Sequence, residues 1–317
     1  MESPMQMFKK IFNLTLAVIG VPVNLTAILV LLRGKCGLSS CSIRYMLAMA
    51  SGDLMCILIE IGLRQLRFSY YPQSFLKLTP VCSVVRALEN AAVDLSVWFT
   101  VMFTVDRFVA ICSHKLKVTY CTNKTAVTVL ATTTILLCLK NVPVYFTLQH
   151  RKLIDNVPWG CYVKKDYFTD PRWRGFAAFS IALTPMFPIA LILILNAMIF
   201  RRILMGSRSR NSFKGQNKGD KQIDPEIESR RTAIILLFSI SISFIILWSL
   251  YVLYLLHVIR PLLDVRDYYK FVAVAYMLRN LSCCTNTFIY AVTQPKFREE
   301  LKRILKYPFT SITAYID

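Results

Sequence analysis

Charged side chains within or beside long apolar stretches are the most unusual feature of this sequence. Asp106 and Arg107 directly follow the apolar segment at 95–105, and the acids Asp53 and Glu60 lie inside another. An ionised group at membrane depth is costly, so such residues usually face a bundle interior, pair with one another and mark a functional site. For Arg107 two interpretations are open from these residues alone. It is either a contact that changes partner during function or an anchor whose long side chain reaches the lipid headgroups.

Residues that would support catalysis or metal binding are sparse. The chain has three His and contains no Cys-x-x-Cys or His-x-x-x-His pair of the kind that holds a metal ion. His114 and His257 lie on opposite sides of the predicted membrane segments, and no Ser/His or His/Asp pair has a usable spacing. The sequence therefore predicts that the protein is not an enzyme and has no cofactor, apart from the sodium ion considered below.

Composition and spacing predict an all-α membrane protein. Of the 317 residues, 55% are hydrophobic and only 18% are charged, and the mean hydropathy is +0.49. A membrane-crossing helix needs roughly 20 apolar residues, and seven such segments recur with short connections. These segments, named spans one to seven in chain order, are 11–32, 43–63, 87–112, 126–146, 176–204, 232–258 and 271–292. We predict one seven-transmembrane helix bundle comprising residues 1–317.

Positive charge favours one orientation of this bundle. The net charge is +20, but the basic residues flank the spans and do not form one face, which argues against a nucleic-acid partner. The densest basic run is the connection 206–229 after span five, and short cytoplasmic loops carry an excess of Lys and Arg. We therefore predict a membrane protein with an extracellular N-terminal segment 1–10 and a basic third intracellular loop at 206–229.

The C-terminal segment has the pattern of a helix that lies on a membrane. In residues 295–306 Phe297, Leu301 and Ile304 alternate with Lys and Arg. A helix with one apolar and one basic face binds at the lipid interface. The sequence predicts a short amphipathic eighth helix at 295–306, which contacts membrane lipids, and a cytoplasmic tail at 307–317.

Two of the ten cysteines differ from the rest in their setting. Cys82 precedes span three and Cys161 lies in the long connection after span four, both in polar sequence predicted to face outward, whereas most others lie in apolar spans. Disulfides form in oxidising compartments such as the cell exterior. We expect a bond between Cys82 and Cys161.

The ordered set of these features resembles the rhodopsin-like G-protein-coupled receptors, over nearly the whole chain. The set comprises the seven spans, the cysteine pair, Asp53, Asp106-Arg107-Phe108, and Asn286-Thr-Phe-Ile-Tyr290 followed by Phe297. Within that family, SVWFTVMFTVDRFVAIC and NVPVYF are similar to the small orphan receptors related to peptide receptors. Some of those receptors respond to aromatic amino acids or short peptides.

The resemblance implies a multi-pass receptor of the plasma membrane, a ligand-operated bundle that opens its inner face to a heterotrimeric G protein. Arg107 would pair with Asp106 at rest and with an inserted helix of the G protein in the active state. The implied switch residues are Asp106, Arg107, Phe108, Asn196, Arg230, Asn286 and Tyr290. The family's sodium site corresponds to Asp53, Ser96, Ser282 and Asn286. Oxygen ligands of this kind suit a hard cation; the alternatives are a water-filled site, or a protonated Asp53 bonded to Asn24.

The chain also departs from the family pattern. Phe108 replaces a Tyr, Leu250 and Thr287 replace prolines of spans six and seven, and Asn196 stands where a Tyr is common. Arg230 occupies the place of an acid that often restrains the span-three arginine from the foot of span six, and Glu228 is the nearest substitute. Because like charges repel, the resemblance predicts a loosened resting state.

The candidate ligand pocket lies near the outer ends of spans three, six and seven. Its residues are Arg86, Glu89, Asn90, Asp94, Trp248, Tyr251, Tyr254, Tyr276, Arg279 and Asn280. Arg86 lies one helical turn above Glu89, a spacing that allows an ion pair, and Arg279 is a second candidate partner. These charges either bind a charged ligand or neutralise one another, as buried charges usually do.

The outer segments carry more Lys and Arg than Asp and Glu, and such a surface concentrates anions. The sequence thus predicts a receptor that couples an extracellular short peptide, or an acidic or aromatic small molecule, to G-protein activation. Two alternatives stay open. One is a non-signalling or constitutively active orphan receptor, in keeping with the missing prolines. The other is a membrane transporter or channel, although no inverted repeat is visible.

Overall fold

The computed structural model describes residues 4–34, 36–66, 74–213 and 225–313. Seven long helices pack side by side as one bundle, and an eighth helix follows the seventh. This arrangement confirms the predicted fold class. We call the end with the Cys82–Cys161 bond the outer end and the end with Asp106 and Arg107 the inner end.

The first four spans follow the predicted order. Span one is Pro4–Leu32, and span two is Ser40–Cys56 with a π-helical continuation, Ile57–Leu66. Span three is Thr79–Cys112, and span four is Asn123–Asn141 with a 3₁₀ continuation, Val142–Thr147. Short helices Phe75–Lys77 and His114–Tyr120 lie between these spans.

The second half of the chain contains three further spans and the C-terminal helix. Span five comprises Pro171–Ile181, the π-helical Ala182–Met186, and Phe187–Phe213. Span six is Pro225–Leu255, span seven is Val265–Thr293, and the C-terminal helix is Pro295–Thr313. Short helices Asp166–Thr169 and Arg260–Leu262 precede spans five and seven.

Several predicted boundaries shift because helices continue beyond the membrane. Span one is helical from Pro4, within the predicted outer segment 1–10. The predicted loop 206–229 is helical up to Phe213 and again from Pro225, and 214–224 lie outside the described residues. The C-terminal helix runs to Thr313, past the predicted end at 306. Hydropathy marks the part of a helix in contact with lipid, and hydrogen bonding continues beyond it.

Span seven is the most polar of the seven. Spans one to six are long and apolar enough to cross a bilayer, whereas span seven includes Arg279, Asn280, Ser282 and Asn286. The first three of these side chains are buried. Its polarity is therefore directed into the bundle, where polar groups find partners that lipid cannot supply.

Side-chain caps fix where several spans begin. An oxygen of each cap accepts the N–H of a residue two or three positions on, which satisfies a donor of the first turn. The cap and donor pairs are Ser39 with Ser42, Thr122 with Thr125, Asp170 with Arg172, and Asp264 with Asp267. The caps thereby set the register of the side chains that follow.

Apolar packing joins the spans, most densely toward the inner end. Tyr45, Phe103, Tyr290 and Phe297 are fully buried there, and the rings of Tyr290 and Phe297 lie 5.8 Å apart. Span one approaches spans two and seven closely at Gly20. A Cβ at that position would lie 2.5 Å from Cys284 Sγ and 2.7 Å from Ile57 Cδ1, so any larger residue must displace these two side chains, and glycine allows the close approach.

The outer connection between spans four and five contains two short antiparallel pairs that the sequence analysis did not predict. Leu148–Gln149 pairs with Tyr162–Val163, and Lys152–Ile154 pairs with Val157–Trp159. Asp155 and Asn156 turn the second pair with φ of 50° and 60°, as a two-residue hairpin turn requires. The Cys82–Cys161 disulfide ties this connection to the start of span three, as predicted.

Candidate functional site

Glu60 lies at the centre of a buried ion network at the outer end. Its carboxylate accepts hydrogen bonds from Arg64 Nε at 2.9 Å and Nη2 at 2.5 Å, and from Gln65 Nε2 at 2.7 Å. Arg279 Nη2 of span seven lies 2.9 Å from the same carboxylate. Glu60, Arg64 and Gln65 all belong to the π-helical part of span two, a geometry that frequently occurs at functional sites.

Glu89 of span three is the second acid of this network. Arg86 Nη1 lies 3.0 Å from both of its carboxylate oxygens, and Arg64 Nε lies 2.9 Å from Oε2. The Arg86–Glu89 pair is the predicted one, but Arg279 pairs with Glu60 and not with Glu89. We call Glu60, Arg64, Arg86, Glu89 and Arg279 the outer ion network. It joins three guanidinium groups to two carboxylates and therefore has a surplus positive charge.

Four aromatic side chains of spans six and seven form a wall beside this network. Successive ring centroids of Trp248, Tyr251 and Tyr254 are 5.7 and 5.8 Å apart, and Tyr276 lies 5.2 Å from Tyr251. The guanidinium carbon of Arg279 lies 4.9 Å from the Tyr251 ring and 4.8 Å from the Tyr276 ring. Contacts of this kind stabilise a cation against an aromatic face.

Arg279 is also linked to the middle of the bundle. Its Nη2 donates to Asn280 Oδ1 at 3.0 Å, while Asn280 Nδ2 is buried with no partner among the described residues. The Arg279 carbonyl accepts from Ser282 Oγ at 2.6 Å, and that hydroxyl accepts from Trp248 Nε1 at 3.2 Å. A change at Arg279 thus has a direct hydrogen-bonded path to the buried indole of span six.

Two predicted pocket residues have other contacts. Asn90 Nδ2 donates to the backbone carbonyl of Arg86, one turn back in the same helix, at 3.0 Å. The carboxylate of Asp94 faces span four, where it accepts from Lys140 Nζ at 2.9 Å and from Asn141 Nδ2 at 2.7 Å. Asp94 lies five residues after Glu89, which at 3.6 residues per turn is about 140° around the helix. It therefore belongs to an interface between spans three and four and not to the pocket.

Asp53 in the middle of the bundle has partners from spans three and seven. Ser96 Oγ donates to Asp53 Oδ1 at 2.5 Å, and Asn286 Nδ2 donates to Oδ2 at 2.8 Å. Asn24 does not bond Asp53; its amide donates to the carbonyls of Gly20 and Cys283. Asp53, Ser96 and Asn286 form what we call the polar centre. Ser282, the fourth predicted sodium ligand, is instead bonded to Trp248 and the Arg279 carbonyl, as described above.

Asp106 and Arg107 are buried together at the inner end. Arg107 Nε donates to Asp106 Oδ2 at 2.9 Å, and Nη2 donates to the same oxygen and to Ser42 Oγ. The thiol of Cys41 donates to the other oxygen, Asp106 Oδ1, at 3.0 Å. The guanidinium carbon of Arg107 lies 5.7 Å from the Phe103 ring. Neither Cys41 nor Ser42 was singled out from the sequence.

The other predicted switch residues surround this pair less directly. Tyr290 is fully buried and its hydroxyl lies 3.8 Å from Met49 Sδ, while Phe108 is half-buried in the inner core. Asn196 of span five is buried, with its Oδ1 unpartnered among the described residues. The side chain of Arg230 lies outside the described residues. Its predicted repulsion of Arg107 thus stays a prediction.

The chain matches the family described as the 7 transmembrane receptor (rhodopsin family) over residues 23–290. The match extends from span one to the end of span seven and includes the outer ion network, the polar centre and the inner pair. Members of this family are signalling receptors of the plasma membrane and not enzymes. The match therefore confirms that the chain is a multi-pass plasma-membrane protein and that it is not an enzyme. The chain is thus a member of the rhodopsin family of seven-transmembrane receptors.

Proposed function

We propose that this receptor binds an extracellular anion with an aromatic or short peptide part and, in response, activates a heterotrimeric G protein at its inner end. The observation that carries the proposal is the surplus guanidinium of the outer ion network beside the wall of Trp248, Tyr251, Tyr254 and Tyr276. A buried positive charge without its own counter-ion is costly. A carboxylate ligand supplies that counter-ion, and the rings supply apolar contact.

The position of Arg86 suggests where the ligand carboxylate docks. Its side chain is 37% exposed, whereas those of Glu60, Glu89 and Arg279 are 5% exposed or less. Arg86 is thus the guanidinium of the network most open to an incoming group. The planar fork of its five donors suits a carboxylate, and it can accept one while one of its nitrogens remains on Glu89.

The path from the pocket to the inner end begins at Arg279. An anion bound beside Arg279 weakens the Glu60–Arg279 ion pair. Because the Arg279 carbonyl accepts from Ser282, this change also alters the geometry of the Ser282–Trp248 hydrogen bond. A ligand shifts a receptor only through different affinities for its two states. We therefore assign the resting state to the observed Glu60–Arg279 and Ser282–Trp248 contacts, and the active state to an arrangement in which Arg107 leaves Asp106 for the G protein.

The disulfide supports the orientation. Disulfides form in oxidising compartments, so the Cys82–Cys161 bond supports our proposal that the outer end faces the cell exterior. The first residues of spans one and three lie at the same end of the up-and-down bundle, so the same proposal gives an extracellular N-terminus. An epitope tag before Met1 should bind antibody on intact cells, and a tag after Asp317 should require permeabilisation.

We also propose that the polar centre can hold a sodium ion in the resting state. Asp53, Ser96 and Asn286 offer a carboxylate, a hydroxyl and an amide oxygen, which are ligands suited to a hard cation. Ser282 is left out of this set because its hydroxyl is engaged by Trp248.

A matched ligand series tests the proposed ligand class. Aromatic carboxylates, their methyl esters and the corresponding amines would be applied to cells that carry a G-protein dissociation sensor. We expect the acids to activate, and Arg86→Gln to lower their potency about 10- to 100-fold, since a hydrogen bond to a charged group contributes about 1.5–3 kcal/mol.

Arg172→Gln is the matched control, because Arg172 is an outer arginine whose side chain is 90% exposed and pairs with Asp170. Its potency should equal that of the wild type. Esters or amines as active as the acids would refute the proposed ligand class. Equal losses in Arg86→Gln and Arg172→Gln would show general attraction by the basic surface and no specific pocket contact.

A further inference from the structure

The first turn of span two lies directly against the Asp106–Arg107 pair. Ser39 caps this turn by accepting the N–H of Ser42 at 3.3 Å, and the hydroxyls of Ser39 and Ser42 are 2.6 Å apart. Cys41 and Ser42 follow the cap and are each 1% exposed. The cap thus orients two small polar side chains into the bundle at the level of the inner pair.

These two side chains contact different parts of the pair. Ser42 Oγ accepts a hydrogen bond from Arg107 Nη2, while the Cys41 thiol donates to Asp106 Oδ1 at 3.0 Å. The remaining oxygen, Asp106 Oδ2, is bonded to Arg107 Nε at 2.9 Å. The pair is thus hydrogen-bonded to span two through both Ser42 and Cys41. The thiol of Cys121, which follows the short helix His114–Tyr120, also interacts with Asp106.

The direction of the bond to Arg107 is fixed by its chemistry. A guanidinium can only donate, so Ser42 Oγ accepts from Arg107. Either hydroxyl can be the donor of the Ser39–Ser42 bond, and Ser39 Oγ also accepts the backbone N–H of Ser42. The short chain from Ser39 through Ser42 to Arg107 is thus consistent at each step, and such chains strengthen their members.

The residue at 230 makes this contact important. Arg230 supplies no acid at the place in span six where one often restrains this arginine, and the nearest acid, Glu228, is exposed. We propose that Ser42 and Cys41 are the positioning residues that hold Arg107 on Asp106 in the resting receptor, so that the restraint comes from span two. This inference rests on the proposed function, since it assumes that release of Arg107 accompanies G-protein activation.

The chemistry predicts which substitutions preserve the restraint. Ser42→Thr keeps a hydroxyl that accepts from Arg107, whereas Ser42→Ala removes the acceptor and leaves a guanidinium donor unpaired. Cys41→Ser likewise keeps a donor for Asp106 Oδ1, and Cys41→Ala removes it. A role in packing alone would give a different pattern, because Ser42→Thr adds a methyl group and should then be the more harmful change.

Two independent readouts on purified receptor in nanodiscs test the inference without a ligand. A fluorescent amino acid at Arg231, near the inner end of span six, reports opening of the bundle. Nucleotide exchange on a panel of purified G proteins reports coupling. We expect Ser42→Ala to shift the fluorescence and to raise ligand-free exchange about tenfold, the effect of losing one hydrogen bond to a charged group, and Ser42→Thr to match the wild type.

Ser249→Ala is the matched control, since Ser249 is exposed and donates only to its own helix at Ile246; neither readout should change. If Ser42→Ala does not reach the membrane, Cys41→Ala compared with Cys41→Ser applies the same test. Wild-type fluorescence and exchange in the alanine variant would overturn the inference. A fluorescence shift without exchange on any G protein would support the restraint and overturn the proposed coupling.

Discussion

The two ends of this bundle hold their arginines in different ways. At the outer end, spans two, three and seven contribute three guanidinium groups and two carboxylates to one network. Of the three arginines, only Arg64 contacts both acids. At the inner end one guanidinium has one carboxylate, and its other polar partner is a neutral hydroxyl. Shared charge makes the outer network tolerant of a lost contact at its edge. Among the side chains that the structure describes, the inner pair has no second acid, so each of its neutral contacts has more influence on its state.

The largest effect should follow removal of the charge at the centre of the outer network. Glu60→Gln leaves Arg279, which is 4% exposed, without its carboxylate, and breaking a buried pair from one side costs about 3–5 kcal/mol. Thermal unfolding in a membrane mimetic measures this loss. Glu60→Gln combined with Arg279→Gln should recover most of the stability. A double variant that is as unstable as the sum of both single variants would contradict the pairing.

The inner pair provides the contrasting substitution. Asp106→Asn should lower the free energy of unfolding by about 3 kcal/mol, because Arg107 then retains only neutral acceptors. It should also raise ligand-free signalling, and by more than Glu60→Gln, because Glu60 acts on Arg107 only through the Ser282–Trp248 path. Measuring unfolding and ligand-free signalling on both variants checks this difference. Equal ligand-free signalling in the two would show that the ends are not distinct in the proposed way.

A smaller effect is expected at the edge of the outer network. Glu89→Gln leaves Arg64 on Glu60, and the partly exposed Arg86 can turn to water, so stability should fall by only about 1 kcal/mol, as for a solvent-accessible pair. The same unfolding assay, with Glu60→Gln beside it, gives the comparison. A loss as large as that of Glu60→Gln would mean that the two acids are equally central and that the network does not share its charge.

Sequence reasoning identified interactions within one helix better than those between helices. The spans, the Arg86–Glu89 pair and the adjacent Asp106 and Arg107 follow from hydropathy or from a spacing of one turn. Arg64 could have been found by the same rule, since it lies four residues after Glu60. The cysteine pair was identified because its two members alone lie in polar outward-facing sequence.

Contacts between helices depend on rotation about each axis, which spacing along the chain does not provide. Asp94 faces span four and Ser282 faces Trp248 for this reason, although both lie at the expected depth. Asn13 is a further example: Asn13-Leu-Thr has the pattern of a glycosylation site, but its side chain is 2% exposed and donates to Gln65 of span two. A glycan acceptor must be at the surface, so we expect Asn13 to be unmodified.

The smallest effect should come from the exposed ion pair at the start of span five, which lies outside both regions. Hydrogen bonds from the side chain and backbone N–H of Arg172 hold the pKa of Asp170 below its usual value. A carboxyl with a lowered folded-state pKa contributes stability above its unfolded pKa and loses it as the pH falls through the folded value. Asp170→Asn keeps a capping oxygen, so it removes the charge alone. The difference in melting temperature between wild type and variant should be small at neutral pH, because solvent screens an exposed pair, and should vanish in acid. A melting-temperature difference that increases as the pH falls would contradict this expectation, because it would mean that the carboxylate destabilises the folded receptor.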